Sequence, residues 1–362
     1  MRAINASVMR QVNKRLILNQ IRLRPISRAE LAEETGLTRA SVTQIVEELM
    51  SEGLVIETSA VGRSRLGRRS TQLAVNPQAG VIFSVSLSRS QCTVGVTNMH
   101  GAVLRQNTEL VPGRTPSEVL DAIAATIAAQ RKALNLDQRR IFGVGVSAPG
   151  PLNPDTGALL NPERFDMWHN LPFAQLLAQR TALPVCIENT ADAQALEQMY
   201  FGRAGESFAL LRVEDSISVG AVIRGDLYRG APDFPLAFGG LPSAFGGPSL
   251  DALVAPASLL SDSGWRSWAE LIGHSGTESA AAAIDQLLAH LAHAVICAAY
   301  AYRVSSIVLS GEVGELLAPL LTRLEAVVGA QHPPCASLRL RVADTNPVRA
   351  AAAPLFNSLF AE

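Results

Sequence analysis

The sequence predicts an α/β protein built in two parts, a winged helix-turn-helix over residues 1–77 and a large mixed α/β body over residues 78–362. Three observations predict it. Charge is unevenly divided: residues 1–75 carry 12 Lys+Arg against 7 Asp+Glu, while the rest of the chain carries 19 against 25. The first 75 residues read as three short helices and two strands joined by a run of arginines. Beyond Pro77, strand and helix patterns alternate over a length of chain too great for one compact core.

A basic segment on an acidic body points to a polyanionic partner at one end only. Hydrophobic residues at 48% and charged residues at 17% exclude wholesale disorder. The four cysteines, Cys92, Cys186, Cys297 and Cys335, lie too far apart in sequence for metal-ligand spacing, and a disulfide framework needs a denser set in a shorter chain. The N-terminus has basic residues but no apolar core of a signal peptide. The apolar stretch from Ala280 to Leu309 is interrupted by Asp285, His290, His293 and Arg303, so it reads as a buried helix followed by a strand, not a membrane span. A reduced, cytoplasmic location without membrane contact is expected.

In the basic module, Val8, Val12, Leu16, Ile17 and Ile21 form the stripe of a first helix that Pro25 stops. Ser27-Arg28-Ala29-Glu30 is a capping box opening a second helix, and Gly36 allows the left-handed turn that ends it. Thr38 caps a third helix, which buries Val42, Ile45, Val46 and Leu49 and leaves Arg39, Ala40, Thr43 and Gln44 facing solvent. Leu54–Ile56 and Leu73–Val75 read as strands, and their connection carries Arg63, Arg65, Arg68 and Arg69 without an intervening acid. The third helix is expected to enter the major groove of double-stranded DNA. Arg39, Thr43 and Gln44 are its base readers, Thr38 sits at its N-terminus, and the wing arginines contact phosphate or the minor groove. A helical bundle with a solvated arginine loop is the plainer alternative.

In the body, Val81–Leu87 and Cys92–Thr97 read as antiparallel strands closed by a turn at His100-Gly101, and Ser117–Leu134 as an amphipathic helix. Ile141–Ser147 is a buried strand running into Ala148-Pro149-Gly150-Pro151. Val185–Glu188 is a strand, Thr190–Tyr200 a helix, and Phe208–Val213 with Val219–Ile223 a further strand pair before the Gly225-Asp226 turn.

The arginine-bearing wing, the run from Gly143 through Ala148-Pro149-Gly150-Pro151 to Gly157, Glu188-Asn189, Gly225-Asp-Leu-Tyr-Arg-Gly230 and Ile307-Val-Leu-Ser-Gly311 follow one another in an order that resembles the ROK family of repressors, open reading frames and sugar kinases, in its repressor branch. The resemblance implies two actin-like lobes, with the C-terminal helix returning to the first. It also implies a ligand cleft between the lobes and assembly as a homodimer or homotetramer.

Departures from the family pattern bear on activity. Where ROK kinases carry an Asp-x-Gly-Gly-Thr phosphate loop, this chain aligns Ser86, Ser88, Arg89 and Ser90. The kinase base is the Asp of Glu-Asn-Asp, and here Glu188-Asn189-Thr190 offers a hydroxyl that takes no proton at neutral pH. A second glycine-rich loop is replaced by Glu214-Asp215-Ser216-Ile217-Ser218, whose acids repel phosphate. The family's His/Cys zinc set has no counterpart between Phe238 and Ser249. These departures imply a protein that is not an enzyme and holds no nucleotide cofactor and no metal.

Aligned with the family's sugar contacts are Arg164 near Trp168, Glu188-Asn189 with Thr190, Ala237, Gly240 and Asp251. Plainer readings stand beside them: Asn189 as a helix cap and Trp168 as core. Replacement of a family Asn by Arg164, with an acid lost at Ala237, favours an anionic sugar derivative. The expected function is a repressor that binds an operator as two winged helices and answers to a small-molecule effector. A sugar kinase with a DNA-binding arm is a second reading. A regulator whose cleft is vestigial and which answers to a protein partner is a third.

Overall fold

The computed structural model describes residues 6–58, 71–111, 114–162, 168–202, 204–214, 216–230, 237–244, 246–254, 260, 264–335 and 337–360. The wing arginines Arg63, Arg65, Arg68 and Arg69, together with Arg164, lie outside the described residues.

The N-terminal module is α1 (Ala6–Leu23), α2 (Arg28–Thr35), α3 (Arg39–Ser51) and the antiparallel pair β1 (Val55–Thr58) and β2 (Gln72–Val75). Its local signals act as read. The Ser27 hydroxyl accepts from Glu30 N while Glu30 accepts from Ser27 N, and Gly36 takes φ +68°. Such a box satisfies two otherwise orphaned amides at once. Ile17, Ile21, Leu31, Val42, Val46, Leu49, Val55 and Leu73 close the core of the module.

The body holds two five-stranded sheets of the same design. The first comprises β3 (Val81–Leu87), β4 (Gln91–Asn98), β5 (Val103–Leu110), β6 (Ile141–Ala148) and, after the short pair β7 (Leu152–Asn153) and β8 (Ala158–Leu159), β9 (Val185–Asn189), in the order β5-β4-β3-β6-β9. The second comprises β10 (Phe208–Val213), β11 (Ile217–Ile223), β12 (Asp226–Tyr228), β13 (Ser306–Ser310) and β14 (Arg339–Val342), in the order β12-β11-β10-β13-β14. In each, three strands form an antiparallel meander and two more join parallel to the first, so one topology occurs twice. This is the doubled architecture of an actin-like fold.

On the outer face of the first sheet lie α4 (Pro116–Ala133) and α5 (Phe173–Thr181). Between the sheets runs α6 (Thr190–Glu197). The second lobe adds α7 (Leu250–Val254), α8 (Trp268–Gly273), α9 (Glu278–Tyr302), α10 (Gly311–Leu316) and α11 (Leu321–Gln331), and the chain closes with α12 (Pro347–Phe360). The apolar Ala280–Leu309 stretch is the second lobe's central helix and strand. Ile284, Leu287, Leu288, Leu291 and Val295 are buried on α9, which packs on α11 and β10.

Two helices occupy the middle of the body. α12 packs on β3, β4, β6 and β9 of the first sheet, α6 packs on β10 and β11 of the second, and the two helices touch each other. Glycine allows both to approach their sheets closely. A Cβ on Gly145 of β6 would stand 2.2 Å from Ala351 O, and one on Gly220 of β11 would stand 2.4 Å from Ala191 O.

The expected helix over Thr190–Tyr200 is present, with its last turn widened. α6 ends at Glu197, and Gln198–Gly202 form one wider turn. That turn swings Tyr200 and Phe201 onto α12, where their rings meet Phe356 at 5.2 and 5.1 Å between centroids.

Candidate functional site

The reading face of α3 is built by its own core. Burial of Val42, Ile45, Val46 and Leu49 on one side leaves Arg39, Ala40, Thr43 and Gln44 exposed on the other. Thr38 caps the helix, its Oγ1 accepting from Ser41 N at 3.2 Å, and Thr43 Oγ1 donates to Arg39 O at 2.9 Å. Thr38 is therefore committed to the helix end, while Arg39, Gln44 and the acceptor lone pairs of the Thr43 hydroxyl face solvent. Glu48 accepts from Arg10 at 2.9 Å and Lys14 at 3.3 Å, which ties α3 to α1 behind that face.

Between the lobes, the structure brings together Glu188, Asn189, Asp192 and Arg229. Glu188 ends the first sheet at β9 and is 5% exposed. Arg229 follows β12 of the second sheet, and its guanidinium donates through Nε (3.0 Å) and Nη2 to Glu188 Oε1. One ion pair thus spans the two lobes. Burial raises the Glu188 carboxyl above its ordinary value, with Arg229 opposing the rise. Asn189 caps α6: its Oδ1 accepts from Asp192 N at 3.0 Å and its Nδ2 donates to Asp192 Oδ2. Asp192 is buried, and desolvation, reinforced by the Glu188 charge, pushes its carboxyl up to about 7. Thr190 is the half-buried first residue of α6.

Two sequence-predicted site residues are spent inside the lobes. Of the two readings of Trp168, a ring face offered to a ligand and plain core, the second holds: it is 2% exposed and stacks on Phe173 with centroids 6.0 Å apart, within the first-lobe core. Asp251 was expected to contact a ligand; its Oδ1 accepts from Ile217 N at 2.5 Å and its carboxylate lies against Gly239, so it fixes second-lobe backbone. Arg229 and Asp192 were not assigned roles from sequence. Arg229 lies inside the Gly225–Gly230 motif and Asp192 three residues beyond a predicted cap, but neither signal reveals a partner across the lobes.

The α6 helix also leads out of this cluster. At its far end Glu197, fully buried, accepts from Arg349 Nε at 2.6 Å and Asn346 N at 3.0 Å at the start of α12. The wide turn then meets the N-terminal module. Arg22 of α1 stacks its guanidinium over the Tyr200 ring at 4.5 Å and donates to Tyr200 O at 3.3 Å. Ile17, Ile21 and Leu73 of the module share one apolar cluster with Ile82, Met99, Leu355, Phe356 and Phe360.

A winged helix mounted on the crossing helices of two actin-like lobes defines the class of protein. Comparison with known proteins finds two matches: a ROK family model over residues 82–239 and a MarR family model over residues 11–66. The two matched segments lie in the order expected of a winged helix followed by a ROK-like body.

The xylose repressor of Caldicellulosiruptor bescii is 30% identical over 234 residues, which is 64% of this chain and 58% of that protein. The matched segment thus spans under two thirds of the relative's length. A crystal structure of a ROK family transcriptional regulator, a homologue of the E. coli MLC protein, superposes with a TM-score of 0.81 at 20% identity, covering 97% of each chain. The ROK hexokinase from Thermus thermophilus gives a TM-score of 0.64 at 22% identity, over 77% of this chain and 99% of that one. Both likenesses speak to fold.

Proposed function

We propose that this protein is a DNA-binding transcriptional repressor whose operator affinity is set by a small molecule, a sugar or sugar derivative, bound between the lobes. The observation that carries the reading is the course of α6. It starts at Asn189, beside the Glu188–Arg229 pair, and ends in the turn that holds Tyr200 under Arg22 of the DNA module. A ligand that competes for Glu188 or Arg229 changes the angle between lobes, and α6 carries the change to the module. DNA affinity then shifts by the ligand's differential affinity for the two lobe arrangements and by no more. Hydroxyls suit Glu188, and an anionic group suits Arg229 and, as a proposal from sequence, Arg164.

In the same reading the protein is cytoplasmic, not an enzyme, and acts as a homodimer or homotetramer on a double-stranded operator. Wing residues Arg63, Arg65, Arg68 and Arg69 supply phosphate contacts, and the domains divide near residue 77. The alignment of Ser86, Thr190 and Glu214 with kinase positions supports the loss of phosphoryl transfer. Measurable ATP-dependent turnover over a panel of sugars would overturn that part.

Titrating the protein into labelled duplex from its own upstream region, against unrelated duplex as competitor, tests the DNA half. Arg39→Ala and Gln44→Ala are each expected to weaken specific binding by about 5- to 150-fold, equivalent to about 1–3 kcal/mol per base contact. Binding to unrelated duplex should change far less. Equal losses on both duplexes would assign the two side chains to phosphate.

Effector binding is read separately by thermal shift with xylose, then with sugar acids and phosphosugars. Glu188→Gln and Arg229→Ala should each remove the shift given by the best ligand and, because each breaks the interlobe pair that the ligand competes for, should move ligand-free operator affinity toward its effector-bound value.

A further inference from the structure

We propose that the groove between β5 and α4, on the outer face of the first lobe, is a second ligand site, built for a small oxyanion that also carries hydroxyls, a sugar acid or a phosphosugar. The groove holds about 420 Å³ and runs along α4 from Ala122 to Gln130. Small-molecule sites span about 300–1,000 Å³, so it is large enough for a ligand of sugar size. None of its lining residues belongs to the Glu188–Arg229 cluster.

The elements leave this space open for simple reasons. β5 is an edge strand among the described residues, and its alternate side chains Arg105, Asn107 and Glu109 form one wall. α4 faces them with Ala122, Ala125 and Ala129, spaced i, i+3 and i+7 on one side of the helix and too short to fill the gap. At the Glu109–Arg114 end the groove narrows into an apolar recess against Cys92, Val119 and Ile123, whose 10 Å³ has room for one water-sized group.

Gln130 is an independent sign of a ligand. It is 1% exposed, its Nε2 donates to Val94 O and to Asn107 Oδ1, both at 3.0 Å, and its Oε1 has no partner among the described residues. Buried polar atoms are almost always paired, so an orphaned acceptor on a groove wall calls for a donor from outside the chain. A ligand hydroxyl supplies it.

Charge sets the other requirement. Glu109 is neutralised by Arg114 at 2.9 Å, whereas Arg105 is exposed and has no carboxylate partner among the described residues. One guanidinium is thus unspent, and its fork of N–H donors matches a carboxylate or a phosphate. Half-buried Thr126 adds a hydroxyl from α4. Arg105 and Asn107 stand two residues apart on β5, about 7 Å along the strand, a span that a pentose- or hexose-sized molecule covers. A neutral sugar leaves Arg105 unmet and a bare anion leaves Gln130 unmet. One molecule carrying both groups satisfies both.

Calorimetry and hydrogen-exchange mass spectrometry on the full chain test the site, with gluconate and glucose 6-phosphate as probes and glucose, acetate and inorganic phosphate as controls. Running them on Arg229→Ala as well as wild type separates the groove from the effector site between the lobes. At least one probe should bind in both proteins and slow exchange in peptides of β5 and α4, and the tighter probe identifies the oxyanion as carboxylate or phosphate. Each control should bind about tenfold more weakly or not at all, the loss expected of one charge-assisted hydrogen bond. Arg105→Gln should weaken the probe about tenfold for the same reason, with an unchanged melting temperature. Ala125→Trp, at an exposed position of α4, should fill the groove and abolish binding. Failure of both probes to bind overturns the proposal, as does protection confined to peptides around Glu188 and Arg229. Affinity that ignores both Arg105→Gln and Ala125→Trp overturns it too, and so does inorganic phosphate that binds as tightly as the probes.

Discussion

Arg349→Ala should lower folding stability by about 1–2 kcal/mol at pH 8, because Glu197, held at about 7, sheds its buried charge by taking up a proton at about 1.4 kcal/mol per pH unit. The lower end is expected because the Arg349 side chain is 24% exposed while that of Glu197 is fully buried. The arginine is the charge that lets Glu197 ionise inside the interlobe layer, and among the described residues Asn346 N is its one other donor. Even with both, burial holds the Glu197 carboxyl at about 7 against an ordinary 4.5.

The sign of the pH dependence follows. A carboxyl raised on folding takes up its proton more readily in the folded state, so this group costs the fold most above pH 7, and the cost fades as pH falls toward 4.5. Removing Arg349 raises the carboxyl further. The deficit of the variant is thus complete at high pH and shrinks as Glu197 protonates, so urea titrations at pH 8 and pH 5.5 should show a clearly smaller loss at the lower value. The double variant with Glu197→Gln should recover much of the loss at pH 8. A deficit of the same size at both pH values would mean that Arg349 acts through the non-titrating Asp344 O, which it also touches at 2.8 Å, and not through Glu197.

What was legible in the sequence is what local chemistry dictates. The capping box at Ser27, the turn at Gly36 and the reading face of α3 need only neighbours within one or two helical turns, and each is where the sequence puts it. Strands β3 and β6 are buried along nearly their whole length, so an apolar run marks them. β5 gave no such mark. Its two faces are both exposed, so the alternation that signals a half-buried strand is missing, and its eight residues read as nothing in particular.

The interlobe cluster was half legible. Glu188 and Asn189 stand out beside a helix start, but Arg229 reaches them from 41 residues away, across two lobes, and no local pattern encodes that. Trp168 was ambiguous for a related reason: an aromatic near polar residues reads the same in sequence whether it stacks on a sugar or, as here, on Phe173. The widening of the last turn after Glu197 was hidden too, since Gln198-Met199-Tyr200 continues an ordinary helical pattern. Packing of Tyr200 and Phe201 against Phe356 decides it, and that contact is far away in sequence.

Phe356→Ala should cost about 3–5 kcal/mol, as for other buried phenylalanines cut to a methyl. The ring is 1% exposed, stacks on Phe360 with centroids 4.4 Å apart, and meets Tyr200 and Phe201 on the same α12 face that completes the core of the winged helix. A cavity there loosens the module and the body together, because one apolar cluster serves both. If α6 and its terminal turn transmit ligand occupancy, the turn must press on something stiff, and Phe356 is the side chain it presses on.

The ratio of operator affinities with and without the best effector, measured by fluorescence anisotropy below the melting temperature, should therefore fall toward one in Phe356→Ala. Effector affinity itself, set at Glu188 and Arg229, should stay within a few-fold of wild type. Ser358→Ala on the same helix loses hydroxyl bonds to Leu355 O and to the Cys186 thiol, neither of them part of the Tyr200–Phe356 contact, and should keep the full ratio. A Phe356→Ala protein that is less stable yet switches as sharply as wild type would place the transmission outside the Tyr200–Phe356 contact, and the route through α6 would be wrong.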